Sequence, residues 1–161
     1  MLINPMPEAT PGPEVDVLRG IYESFNRRDI EGLLDGFHPE IEIIETEDLG
    51  YAALLLRVLG HRFVVLSGGY RGLDEVRRLF ETVWEISEWF QAEPQAFIEV
   101  ERKIVVPLRL HARAKETGYE GEATTAHLWT MRDGKGARLE VYADSEEAIE
   151  AARSRDNERR A

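Results

Sequence analysis

His127 is the residue of this chain best placed to act on a small molecule. It opens the run HLWTMRDGKGARLEVYADSEEAIEAA (127–152), which reads as strand, tight turn, strand, helix cap and helix. Alternation along the first strand puts His127, Trp129 and Met131 on one face, a mixed aromatic lining typical of small-molecule sites. An imidazole there could donate a hydrogen bond, or exchange a proton beside a carbonyl group. All of these residues could equally be plain core, with the histidine bonded to backbone or to a tyrosine. Other chemistry is thinly represented. His38, His61, His111 and His127 show no ligand spacing such as His-Glu-x-x-His, so no metal is expected. The chain has no cysteine, which excludes disulfides and thiol catalysis. Gly68-Gly69-Tyr70-Arg71-Gly72 lacks the lysine of a phosphate loop and reads as a tight entry to a helix. No cofactor is implied.

The elements that must position His127 are legible in the apolar spacing. Val15, Leu18, Ile21, Tyr22 and Phe25 follow a helical period. Asp29 caps a second, short helix whose buried stripe is Ile30, Leu33, Leu34 and Phe37, and His38-Pro39 stops it. Ile41 to Thr46 is β-branched and reads as a strand. Val76, Leu79, Phe80, Val83 and Trp84 mark a long amphipathic helix from Leu73 to about Trp89. Strands are expected over 96–101, 104–114, 122–131 and 137–143, with a hairpin turn at Arg132-Asp133-Gly134-Lys135. Asp144 or Ser145 then caps a terminal helix. Two hairpin registers are open. A bulged turn pairs His127 with Leu139 and turns Leu139, Val141 and Ala143 to the pocket side, and a two-residue turn pairs it with Glu140; the bulged form is preferred because it faces the apolar set inward. Helices gathered on one face of a mostly antiparallel sheet make an α+β layer.

At 161 residues and 43% hydrophobic composition, the chain supports one domain with a real core. It divides into a proline-bearing lead (1–13), a domain (14–153) and a charged tail (154–161). The net charge of −11 argues against nucleic acid and anionic membranes as partners. No apolar run spans a bilayer, and the N-terminus lacks a signal core; a cytoplasmic location is expected.

VLRGIYESFNRRDIEGLLDGFHPEIEI (17–43), GGYRGLDEVRRLF (68–80) and the 127–152 run together resemble a SnoaL-like member of the nuclear transport factor 2-like (ketosteroid isomerase-like) superfamily. The resemblance implies a cone-shaped α+β barrel, in which a curved, mostly antiparallel sheet carries helices on its concave face. It also implies a homodimer. The superfamily holds isomerases, polyketide cyclases, epoxide hydrolases, dehydratases and non-catalytic proteins, so fold alone does not give function. Against the ketosteroid isomerase pattern, the base position falls on Glu45, the protonated-aspartate position on His127, and the tyrosine position on Ile21. Tyr22 is adjacent but about 100° round the helix. Against the epoxide hydrolase pattern, the arginine-x-aspartate pair falls on Arg109-Leu110-His111 and the last aspartate on Val141. Neither established mechanism is therefore expected to operate unchanged.

Two functions remain open at this point. One is a cofactor-free enzyme acting on an apolar carbonyl compound, with Glu45 or His127 as general acid or base and Tyr22, Trp84, Trp129, Met131, Leu139 and Val141 lining the site. The other is a non-catalytic binding or dimerisation module. Glu45 could equally be a solvent-facing strand residue. The outward strand positions Arg109, His111, Arg113, Arg138, Glu140 and Tyr142 are expected to form a polar outer face used for dimerisation. Residues 48–66 are longer and more apolar than the family's usual link, and are expected to close over the pocket mouth, meet a partner subunit, or extend the core.

Overall fold

A computed structural model describes residues 12–45 and 69–160, excluding the side chains of Glu45 and of residues 155–160. The expected lid over 48–66 and most of the N-terminal lead lie outside the described residues. Helix α1 (Pro13–Arg27) opens with proline in its first turn and closes with Arg28 in the left-handed region, so the chain reverses at once. The Asp29 carboxylate accepts from the Gly32 amide at 3.0 Å, capping α2 (Ile30–Asp35) as its type predicts. Strand β1 (Phe37–Glu45) follows directly. Phe37, expected on a helix stripe, is instead the buried start of this strand.

Strand β2 (Tyr70–Arg71) pairs with β1. Gly69 makes this possible: its φ is +86°, and a Cβ there would collide with the Ile43 carbonyl oxygen. Helix α3 (Gly72–Ile86) ends earlier than its apolar run suggests. Ser87 turns extended, its hydroxyl donates to the Val83 carbonyl, and β3 (Ser87–Pro94) begins. That strand was not foreseen from the sequence. Strands β4 (Ile98–Val100), β5 (Lys103–Ala114), β6 (Glu120–Arg132) and β7 (Lys135–Tyr142) complete the sheet before α4 (Ser145–Arg160). The Asp144 carboxylate caps α4 by accepting from the Glu147 amide at 2.9 Å, and α4 continues through the expected tail.

The strand order is β2-β1-β7-β6-β5-β3, with β4 beside β5. All pairs are antiparallel except β1 with β7. Strand β7 is thus an interior strand, and the sheet is open at β2 and β3. One face carries Ile43, Ile104, Val106, Leu108, Leu110, Trp129 and Leu139, and packs with α1, α2 and α3 into the main core. The opposite face carries Val105, Ala126 and Leu128 and is covered by Ala148 and Ala152 of α4. Helices α1, α2 and α3 thus pack on the concave face as expected, and α4 adds a cover on the opposite face. Glu140, expected on the outer face, does point that way but is only 1% exposed beneath this cover. Its carboxylate accepts from the Tyr142 hydroxyl at 2.9 Å.

The hairpin register matches neither expected form. Arg132 pairs with Lys135, and Asp133 and Gly134 take φ of +53° and +75°, as a two-residue type I′ turn requires. A bulge then follows between Thr130 and Met131, which pair with Arg138 and Gly136. Ala137 is the extra residue. The slip pairs His127 with Val141 and Trp129 with Leu139.

Candidate functional site

The concave core encloses a cavity of about 90 Å³ lined by residues of all three inner helices and of five strands. Most of its wall is aliphatic or phenyl: Ile21, Phe25, Leu33, Phe80 and Leu110 are representative. The polar atoms belong to Tyr22, His127 and Trp129. Empty volume of this kind costs packing energy.

Each polar residue arrives from a different local cause. Tyr22 lies one helical turn from Leu18 and Phe25 on the buried stripe of α1, and is 4% exposed. Trp129 is 1% exposed on β6. Its indole stacks on Phe37 at 5.9 Å between centroids and 27° between planes. Gly136 of β7 permits this: a Cβ there would sit 2.7 Å from Trp129 Cζ3. His127 is two residues before Trp129 on the same strand face, and is half-buried because it borders the cavity.

The three form a connected chain. Trp129 Nε1–H donates to the Tyr22 hydroxyl oxygen at 2.8 Å. That hydroxyl is also 2.8 Å from His127 Nδ1. The Tyr22 ring stacks with the imidazole at 5.8 Å and 25°, and meets the indole edge-on at 6.3 Å and 85°. Burial dominates the electrostatics. It raises the Tyr22 phenol far above its usual range, only partly offset by the Trp129 hydrogen bond. It pushes the His127 imidazole down to about 3, since a charged ring is poorly solvated among apolar walls. At neutral pH both groups are uncharged.

Of the residues singled out in the sequence, Tyr22, His127, Trp129, Leu139 and Val141 line this cavity. Trp84 does not: it is buried behind the wall, against Phe25 and Phe80, and its indole N–H has no partner among the described residues. Met131 does not line the cavity: it packs at the edge of the main core and borders an outer groove with Glu42, Arg71, Arg132 and Arg138. The backbone of Glu45 pairs with Val141, which pairs in turn with His127. The two candidate acid–base residues therefore share one rung, with one strand between them. Sequence reasoning missed the apolar contributors Ile43, Phe90 and Ala92, which sit on strands whose inner face only the sheet order reveals. Among the described residues, no group of three His, Cys, Asp or Glu side chains is arranged to hold a metal ion.

The model of the SnoaL-like domain matches residues 18–139. Among solved structures, TerC co-crystallised with polyporic acid is 28% identical, with a TM-score of 0.63, over 86% of this chain and 98% of that one. A nuclear transport factor 2-like protein of unknown function from Burkholderia pseudomallei is 25% identical, with a TM-score of 0.64, over 86% and 95%. A protein from Xanthomonas campestris, provisionally named a polyketide cyclase, shares the fold with a TM-score of 0.62 at 13% identity over 87% and 96%. No curated protein matches the chain.

Proposed function

Because the chain belongs to the SnoaL-like family of the nuclear transport factor 2-like superfamily, we propose that its concave cavity binds a compact, largely apolar molecule bearing a carbonyl group. The observation that carries this reading is the Tyr22–His127–Trp129 group set into an otherwise apolar wall. Apolar walls supply affinity, and one convergent polar cluster supplies orientation. The likeness to TerC, a protein taken into crystals with polyporic acid, supports a small organic ligand. His127 is the polar contact. An imidazole whose pKa lies near 3 is a poor base at neutral pH but a competent neutral hydrogen-bond partner, so binding and polarisation of a carbonyl suit it better than proton abstraction.

Catalysis is the second reading, and the shared rung of Glu45 and His127 favours it. In that case Glu45 takes a proton beside the carbonyl that His127 holds. No helix among the described residues is long and apolar enough to cross a membrane, and the reading places the protein in the cytoplasm. It further takes the protein to be a homodimer. The pairing surface would be the outer end of β3 and β5 that α4 leaves uncovered, where Trp89 meets His111 edge-on at 4.6 Å.

A thermal-shift screen with compact apolar ketones, followed by a structure of the best complex, tests the cavity. A stabilising ketone seated beside His127 supports the reading. Ketones that give no shift, or that bind elsewhere, refute it.

A further inference from the structure

We propose that Tyr22 and Trp129 lock His127 in the tautomer that carries its proton on Nε2, so that the cavity selects ligands whose polar atom is purely a hydrogen-bond acceptor. This deepens the reading given above and rests on it for the identity of the site.

The lock follows from the donor inventory. An indole N–H can only donate, so the 2.8 Å bond from Trp129 commits the Tyr22 oxygen as its acceptor. The Tyr22 proton must then point elsewhere, and His127 Nδ1 lies 2.8 Å away. With the opposite polarity, Nδ1–H and the indole would both donate to one oxygen. The phenolic proton would then be buried with no acceptor among the described residues. Such an orphaned donor is costly, so the polarity runs from Trp129 to Tyr22 to Nδ1. A neutral ring that accepts at Nδ1 carries its proton on Nε2. Loss of the phenolic proton does not intervene, because burial holds Tyr22 protonated.

The start of the relay is fixed by packing. The Trp129 indole is held between the Phe37 ring and the Gly136 backbone, so it cannot rotate its N–H away. The Tyr22 ring is held between indole and imidazole. Tyr22 and Trp129 are therefore positioning residues that act through His127.

Selectivity follows from what the described wall lacks. Among the described residues, the other lining side chains are hydrocarbon. A ketone accepts from Nε2–H and leaves nothing unpaired. The matching alcohol accepts the same bond but buries its own hydroxyl proton without an acceptor, which should weaken it roughly 10-fold.

Two measurements test this separately. The first is the ¹⁵N–¹H correlation spectrum of the histidine rings in the ligand-free protein at pH 7. The expected result is protonated Nε2 and unprotonated Nδ1 at His127. A protonated Nδ1, or an even mixture, overturns the lock even if ketones bind. The second is the affinity of cyclopentanone against cyclopentanol for the native protein and for Tyr22→Phe. The native protein should prefer the ketone about 10-fold. In Tyr22→Phe the ring is free to exchange tautomers, and the ratio should fall towards one. An unchanged ratio in a folded Tyr22→Phe overturns the role of Tyr22. If Tyr22→Phe does not fold, the native spectrum and the native ratio still decide. If neither probe binds while Nε2 is protonated, the carbonyl-site reading fails and the selectivity fails with it.

Discussion

The hydroxyl of Tyr22 lies 2.8 Å from Nδ1 of His127, although 105 residues separate them. One contact thus ties the first helix to β6, an interior strand of the sheet, inside the cavity that both line. It has energetic as well as functional consequences, because the hydroxyl serves the Trp129 N–H and His127 Nδ1, which have no other partner among the described residues.

Replacing Tyr22 by Phe removes one oxygen and orphans both the Trp129 N–H and the His127 Nδ1. The expected loss of stability is about 1–3 kcal/mol, the cost of a buried polar group left unpaired. Urea denaturation of the two proteins measures it. A loss of only a few tenths would show that water replaces the hydroxyl, and that the cavity is wet.

Stability should also depend on pH through His127. Burial holds its folded-state pKa at about 3, below the ordinary imidazole value of 6.5. The unfolded chain therefore binds a proton below about pH 6.5 that the folded protein refuses until about pH 3. The contribution of the neutral ring is complete above pH 6.5 and is lost as pH falls through that window. The slope is at most about 1.4 kcal/mol per pH unit, and less in proportion to the part of the ring that meets water. Carboxylates titrate in the same range, so the informative quantity is the difference between native protein and His127→Asn, followed by denaturation from pH 7 to pH 4. Parallel curves would show that the ring is solvated in the folded state.

The local chemistry of this fold was largely legible in the sequence. Asp29 and Asp144 cap the helices their types and positions indicated, and the alternation around His127 and Leu139 marked the pairing strands. Features set by tertiary packing were not. Strand β3 continues an apolar run that reads as helix up to Trp89, and only its pairing with β5 overrides that pattern. The bulge at Ala137 sits beside the close approach of Gly136 to Trp129, a contact with no sequence period. The same slip brought Val141 opposite His127. Terminal helix α4 is marked in the sequence by its cap, and nothing in its spacing says which side of the sheet it covers.

Gly136 should therefore be sensitive out of proportion to its size. A Cβ at this position meets Trp129 Cζ3 at 2.7 Å and Cε3 at 3.0 Å. The ring is stacked on Phe37 and has little room to retreat. Gly136→Ala should cost about 1–3 kcal/mol by overpacking. It should also shift the Trp129 indole N–H resonance, because the ring must tilt away from Tyr22. A stable variant with an unmoved indole resonance would show that the backbone of β7 yields instead.

The proposed dimer predicts a charge-sensitive surface. Trp89 lies half-buried beside His111 on the outer face, flanked by Arg113 in its ion pairs with Glu88 and Glu120. Trp89→Glu should abolish association while leaving the ligand cavity intact, since Trp89 is on the other side of the sheet from it. Sedimentation of both proteins at tens of micromolar (roughly the upper range for a weak dimer) checks this. A native protein that sediments as a monomer refutes the dimer.

The last prediction asks why the cavity is kept open. Ala92 lines it from β3, and its backbone is already fixed by the Asn26 side chain, which accepts from the Ala92 amide at 2.8 Å and donates to its carbonyl at 2.9 Å. Ala92→Ile adds methylenes that point into about 90 Å³ of empty space, in a residue type that suits a strand. Filling such a void typically stabilises by about 0.5–2 kcal/mol. If the cavity were a packing defect, the variant would simply be a better protein. If it is the ligand site, the gain in stability should come with loss of cyclopentanone binding, measured by titration on the same sample. A variant that is stabilised and still binds the ketone would place the site elsewhere. A variant destabilised by overpacking would show that the hollow is already shaped by its walls, and Leu110→Phe would then repeat the test from β5.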